Sequence, residues 1–541
     1  MKIRNLAPAL GALVLAVVIL SFLVPAVCAL LPVFAGGAGG AGGGENAIPW
    51  ARLFSALRFT AVEALLSSLA AVAIGLPAAF LAARRNFPGR RFLLSLSGVP
   101  LCIPPVIIAL AFVLFYGRQG YLNVFLMSAF GLAEPPVTFL YSLAGVVIAH
   151  GFYNFPVVLR TVSQVWERLS AEEEEAALIL GSSPLRVFRT ITLPLLSPSI
   201  LAAASLVFLY CFFSFIIVLL FGGVGGTTLE VELYQAARSL LDFRLSGLIA
   251  LIETLAAFLV ILLYVYFQRL LSRGNAALKT GRLRTPLRGW SEKAGAALYM
   301  IFLIVFFIGP LASILLRSFV TGGSGGYSTA LHVSLDSWTQ FFGRPSFAAA
   351  FGSTVFVGLS VALVSTAAAL FFALAFGHGR PAFRVLPFAP LAVSSVMLGF
   401  GWTLLVPRGN VLVLILAQSA MAWPFAWTQI QGALDRIPNA ILDASLLLAP
   451  DSLDAVFRVK IPLALRGILS GAGFVFAISA GDASLPLVLS LRRFENLSLT
   501  LYRLAGSYRF SEACVCAVLL ALLCAFVFFI QDAGSGNPGK D

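Results

Sequence analysis

The sequence predicts an all-α integral membrane protein with about 12 transmembrane helices in two parallel six-helix repeats. Three observations carry that reading. Of 541 residues, 60% are hydrophobic and only 11% charged, a composition that would aggregate in water. The apolar residues gather in twelve runs long enough for a helical crossing, which needs about 20 residues. The chain also matches itself at an offset of 268 residues. No run alternates polar and apolar residues, so helices are favoured over a β-barrel.

In chain order the runs are 7–34, 56–83, 93–116, 138–160, 199–222, 245–268, 295–317, 347–377, 386–407, 410–430, 464–489 and 512–531. The first is too long for the apolar core of a cleaved signal peptide, despite the cleavage-like AVCAL within it. The ninth and tenth are separated only by a VPRGN turn. The Gly-rich stretch 36–46 reads as a flexible connector. All six cysteines (Cys28, Cys102, Cys211, Cys514, Cys516, Cys524) lie in apolar stretches and read as small buried hydrophobes. No metal site is expected, because Cys514 and Cys516 lack partner ligands.

The formal charge of +13 would suggest nucleic acid in a soluble chain. Its placement says otherwise. With Lys2 and Arg4 in the cytoplasm, 24 of the 36 Lys and Arg residues fall on the cytoplasmic side. Both termini are then cytoplasmic. No basic stretch is interleaved with base-stacking aromatics, so no nucleic-acid partner is expected. The most basic connector, within 269–293, lies mid-chain, where two six-helix units would be joined. The expected division is 1–270, a linker 271–294, 295–531, and a disordered tail 532–541.

The 268-residue offset aligns Pro156 with Pro424, Glu167-Arg168 with Asp435-Arg436, and Glu175-Ala176 with Asp443-Ala444. It continues without a gap through Pro194 and Pro462 to Ser239 and Ser507. Six crossings is an even number, so the two copies share one orientation, and a pathway is expected between them.

Residues 170–194 read SAEEEEAALILGSSPLRVFRTITLP. Ser170 and Glu173 have capping-box spacing, and the glutamates fill a first helical turn, where the helix dipole favours them. Gly181 suits a helix stop, and Ser183-Pro184 reads as a second N-cap with Pro at N1. Leu193-Pro194 ends the segment. Ala176, Ala177 and Gly181 leave little bulk, so another surface could approach.

This loop resembles the EAA loop of ABC-importer permeases: Glu175-Ala176-Ala177, Gly181 six residues after the Glu, then Ile191-Thr192-Leu193-Pro194. The second copy, within 438–462, is degenerate. It reads Asp443-Ala444-Ser445, with Ala449 in place of the glycine, then Val459-Lys460-Ile461-Pro462. The resemblance implies the type I ABC importer permease fold, and a loop that docks in a cytoplasmic ATPase, expected as a homodimer. It also implies a periplasmic or lipid-anchored substrate-binding protein and a bacterial inner-membrane location among lipids. YGRQGYLN (116–123), AHGFYNFP (149–156), TTLEVELYQA (227–236) and LYRLAGSYR (501–509) resemble the thiamine-importer permeases, with ferric-iron permeases as relatives.

No catalytic constellation appears, and His150, His332 and His378 are scattered. GSGNPGKD (534–541) matches the spacing of a P-loop but lacks the Ser/Thr and any following helix. The chain is therefore not expected to be an enzyme or to bind a cofactor. ATP and Mg would be used by a separate subunit. An ion-coupled secondary transporter is the competing class, and the EAA-type loops speak against it. Glu63, Glu253 and Asp482 are ionisable residues in apolar runs. Glu63 and Glu253 read as solvated near helix ends. Asp482 lies deeper, aligned with Ser214, and either faces a cationic substrate or caps an unwound helix at Gly481. FLYCFFSF (208–215) reads as lipid-facing and packing surface.

Overall fold

The computed structural model describes residues 2–34, 49–96, 103–169, 172–221, 226–275, 284–321, 332–376 and 386–534. The Gly-rich connector, Ser170, Cys102, His378, part of the basic linker and the 535–541 tail lie outside the described residues.

Among the described residues, eleven helices are long and apolar enough to cross a membrane, and a bent pair makes a twelfth. The first six crossings are Lys2–Phe34, Trp50–Arg84, Pro105–Phe130, Leu143–Trp166, Leu193–Phe212 and Phe243–Asn275. The last six are Trp290–Ser318, Phe347–Phe376, the pair Leu386–Ala392 and Ser395–Leu405, Val411–Leu434, Ile461–Gly481 and Phe510–Gly534. The ninth crossing bends by 86° between its two parts. The ninth and tenth are separate, as the VPRGN turn implies.

The 268-residue register persists in three dimensions. Leu143–Trp166 and Val411–Leu434 begin and end 268 residues apart. So do the short helices Pro184–Val187 and Ser452–Ala455, and the π-helical turns Phe188–Thr192 and Val456–Lys460 that follow them. Two expectations need correction. The third crossing is Pro105–Phe130, not 93–116, with Arg90–Leu96 a separate short helix, and runs 199–222 and 464–489 are not continuous helices. The fifth crossing stops at Phe212 and the eleventh at Gly481. Each resumes as a short helix, Ile216–Phe221 and Ser484–Leu489. Ser214 and Asp482 sit in these breaks.

Packing relies on small residues, because lipid tails offer no hydrophobic drive between helices. A Cβ on Gly75 of the second crossing would lie 2.7 Å from Val158 Cβ on the fourth. Polar ties are few and repeat: Thr60 Oγ1 accepts from Leu229 N at 2.9 Å, and Thr354 Oγ1 accepts from Leu497 N at 2.8 Å.

The first crossing of each set leaves its own set. Lys2–Phe34 packs on the eighth, ninth and tenth crossings as well as the sixth. The seventh lies on the third and fourth, with Phe302 and Phe306 against Phe152, Phe306 against Tyr116, and Phe307 against Phe155. A Cβ on Gly401 would fall 1.9 Å from Pro25 O. Gly401→Ala should therefore push the first crossing off the ninth and cost about 1–3 kcal/mol, the usual range for overpacking. Gly352→Ala, which would meet nothing within 4 Å, should leave stability unchanged or raised. Thermal melts of the two purified variants decide it.

Candidate functional site

Two cavities lie between the two sets of crossings. One, of about 330 Å³, is bounded by Tyr153 of the fourth crossing, Tyr210 and Phe213 of the fifth, Gln418 and Phe425 of the tenth, and Asp482 at the break of the eleventh. The second, of about 240 Å³, shares Leu209, Tyr210, Leu391 and Phe425 with it and continues toward the EAA-type loops, past Arg160. Pro156 and Pro424, the prolines aligned by the repeat, face each other across this second cavity. Leu209, Tyr210 and Phe213 border these cavities, so the expected lipid-facing and packing surface of FLYCFFSF holds only in part.

Asp482 is held on both oxygens. Gln418 Nε2 donates to Oδ2 at 2.9 Å, while the backbone N–H groups of Ser484 and Leu485 donate to Oδ1 at 2.9 and 3.4 Å. Gln418 Oε1 in turn accepts from Ser479 Oγ at 2.6 Å. The carboxylate thus caps the resumed helix and also borders the cavity. The repeat offset maps Gln418 onto His150 and Asp482 onto Ser214. These partners also meet, with His150 Nε2 at 2.7 Å from Ser214 Oγ. Behind them His150 Nδ1 lies 2.5 Å from Glu63 Oε1, and Ser67 Oγ donates to the same oxygen at 2.6 Å. Glu63 and Glu253 are fully buried, which corrects the expectation that they are solvated.

The EAA-type loop lies at the far end of the fourth crossing. Helix Glu172–Ile179 ends in a Schellman motif, with Ser182 N donating to Ala177 O and Gly181 N to Leu178 O, both at 3.0 Å. Gly181 has φ +84°, and a Cβ there would meet nothing within 4 Å. The glycine is therefore needed for its backbone conformation, not for room within the chain. In the second loop, helix Asn439–Leu448 is followed by Ala449 in extended conformation (φ −80°, ψ 141°). Pro450 disfavours the helical region for the residue before it. That ending needs no glycine, which explains the departure at this position. Ser183 caps the next helix by accepting from Arg186 N at 3.4 Å, with Pro184 at its start, as expected.

Glu175, Ala176, Asp443 and Ala444 are exposed, and Ala177 is half-buried. Leu193 is half-buried, and Pro194 and Pro462 are exposed at the starts of the fifth and eleventh crossings. The sequence reading passed over two features here. Glu174 is buried and accepts from Arg84 Nη2 and from Thr192 Oγ1, both at 2.7 Å, which ties the loop to the second and fifth crossings. The repeat puts Leu442 at that place, packed on the core. The other feature is the tip. Ile179 and Leu180 are each 86% exposed, and Leu447 and Leu448 are 86% and 85% exposed. Their placement at the end of an acidic amphipathic helix was the available signal.

Four segments carried the thiamine-permease resemblance. One borders the cavities: AHGFYNFP supplies Tyr153 and Pro156. The other three do not. TTLEVELYQA holds the buried Glu230. YGRQGYLN forms a turn locked by Asn123, whose Nδ2 donates to Gly117 O and Val137 O at 2.8 and 2.7 Å. In LYRLAGSYR, Arg509 pairs with Glu512, which also accepts from Arg344 Nε at 2.6 Å.

The Arg84–Glu174 pair yields a prediction. Glu174→Ala would break this buried ion pair, a loss of up to about 3–5 kcal/mol. Hydrogen exchange across 172–192 should rise at least tenfold. Leu442→Ala, lacking any charge, should loosen the second loop less.

Comparison with known proteins agrees with this geometry. Residues 71–276 match the family described as binding-protein-dependent transport system inner membrane component. The thiamine transport system permease protein ThiP of Escherichia coli (strain K12) is 28% identical over 505 residues, 90% of each chain. That of Brucella abortus (strain 2308) is 28% identical over 507 residues, 90% of this chain and 88% of the other. The permease protein PhnU of Salmonella typhi, named for 2-aminoethylphosphonate transport, is 36% identical over 167 residues, 31% of this chain and 58% of that one. The chain is thus similar along about nine-tenths of its length to permease subunits of ABC importers, and its residues 71–276 match the binding-protein-dependent inner-membrane permease family.

Proposed function

We propose that the solute carried is thiamine, as such or phosphorylated, and that it passes between residues 1–270 and 295–531 through the two connected cavities. The observation that carries this is the cavity bounded by Asp482, Tyr153, Tyr210 and Phe425. Thiamine is a cation built of two aromatic rings joined by a methylene. A fixed carboxylate offsets the desolvation of its charge, and aromatic walls attract a cation through their π faces. The ThiP relatives, similar along about nine-tenths of the chain, support the same solute.

Permeases of this family work with an ATPase and a substrate-binding protein. Here the ATPase is proposed to be a homodimer that uses ATP with its Mg and receives the tips at Ile179 and Leu447. A periplasmic or lipid-anchored binding protein would deliver the solute at the opposite end. The excess of Lys and Arg at the loop end supports placing that end, and both termini, in the cytoplasm.

Two tests follow. In cells lacking thiamine synthesis and transport, supplied with the cognate partners, the chain should restore radiolabelled thiamine uptake. Asp482→Asn keeps an acceptor for Gln418 but removes the charge, and should lower uptake about tenfold at limiting thiamine, a loss of about 1.4 kcal/mol. Uptake of ferric iron or 2-aminoethylphosphonate without thiamine would overturn the solute. Normal transport by Asp482→Asn would remove the electrostatic role. The second test concerns coupling. Ile179→Asp and Leu447→Asp each place a carboxylate in an apolar dock, so each should reduce ATPase co-purification about tenfold while leaving membrane insertion intact. Gly181→Trp should also impair association, and Ala449→Trp less so, because Ala449 has an extended backbone that accepts a side chain. Undiminished ATPase binding by Ile179→Asp would refute docking at this tip.

A further inference from the structure

Seven acidic side chains are buried among the described residues, and five have partners. Glu63 meets His150 and Ser67, and Glu174 meets Arg84 and Thr192. Glu232 pairs with Arg52, Asp454 with Arg458, and Glu512 with Arg344 and Arg509. The exceptions are Glu230 and Glu253, which are 0% and 1% exposed. None of their four carboxyl oxygens has a hydrogen-bond partner. They come from different elements, the short helix Leu229–Tyr234 and the sixth crossing, which pack against each other. Two hydroxyls accompany them. Thr228, which opens the short helix, is fully buried and its Oγ1 has no partner. Ser394 lies beside Glu230 without closing a hydrogen bond to it, and it also borders the central cavity, at the bend of the ninth crossing.

We propose that Glu230 and Glu253 hold a hard divalent cation, Mg²⁺ or Ca²⁺, at the seam between the sixth and ninth crossings. Two bare carboxylates in a low-dielectric interior are too costly to stand alone. Nearby Arg52 is already engaged by Glu232. The donors present are all oxygen, the ligand type of Mg²⁺ and Ca²⁺ and not of soft metals. One divalent ion cancels the charge of both carboxylates, which one alkali ion does not. The repeat mates of Glu230 and Glu253 are Ser498 and Ala521, so the site belongs to one side of the molecule only. It is distinct from Asp482, whose two oxygens are already bonded.

The test uses the full chain in nanodiscs of zwitterionic lipid, stripped with chelator and then titrated with Ca²⁺ or Mg²⁺ at fixed pH. Wild type should gain several degrees in melting temperature, saturably, and bind about one ion per chain in equilibrium dialysis. The Glu230→Gln/Glu253→Gln variant keeps the side-chain shape and removes the buried charge, so it should fold, bind no ion and melt independently of divalent concentration. No divalent response in wild type, or an equal response in the variant, overturns the site. So does stabilisation by acidification alone, which would mean that the two carboxyls share protons.

Discussion

A chain in hydrocarbon has no water with which to satisfy a polar atom, and this constraint organises the molecule. Many of the polar side chains inside it are gathered into a few hydrogen-bonded knots. Glu174, Arg84 and Thr192 form one, Glu63, His150 and Ser214 another, and Asp482, Gln418 and Ser479 a third. Each knot sits where a helix breaks or a loop attaches. The breaks of the fifth and eleventh crossings expose backbone groups that a continuous helix would satisfy internally. They are tolerated because side chains and the resumed helices take those groups up. The breaks in turn leave space between the two sets, and that space is the proposed path.

The two EAA-type loops show one task performed with different chemistry. The first is anchored by a buried ion pair and ended by a left-handed glycine. The second is anchored by Leu442 and ended by an extended alanine before proline. Both deliver an equally exposed apolar tip. Degeneracy of the second motif is thus a change in how the loop is held, while the surface it presents persists.

Helix content, the number of crossings and the repeat were legible in the sequence because they depend on run length and on aligned prolines and charges. Pro156, Pro424 and the acidic residues marked the register, which the helix boundaries follow. What was not legible depends on side-chain direction. Glu63 and Glu253 look alike in the sequence, yet one has a histidine partner and the other none. The exposed tips were hidden because Ile179, Leu180, Leu447 and Leu448 are apolar and sit beside apolar runs. The breaks at Ser214 and Asp482 were hidden for a similar reason, since composition continues unbroken through them. YGRQGYLN was legible as a marker, but its residues hold a turn away from the cavities.

The exchange of first crossings between the sets bears on how the molecule is made. Lys2–Phe34 packs on helices that end at Leu434. At 5–20 residues per second, the ribosome reaches that point roughly 20–80 s after finishing the first crossing. Through that interval the helix must wait in lipid with much of its packing face unmet, and Gly11, which closes against Phe371, has nothing to close against. The earliest segment synthesised is among the last to find its place. Truncation anywhere before the tenth crossing therefore leaves an unassembled span at the front of the chain, open to quality control by the membrane's proteases.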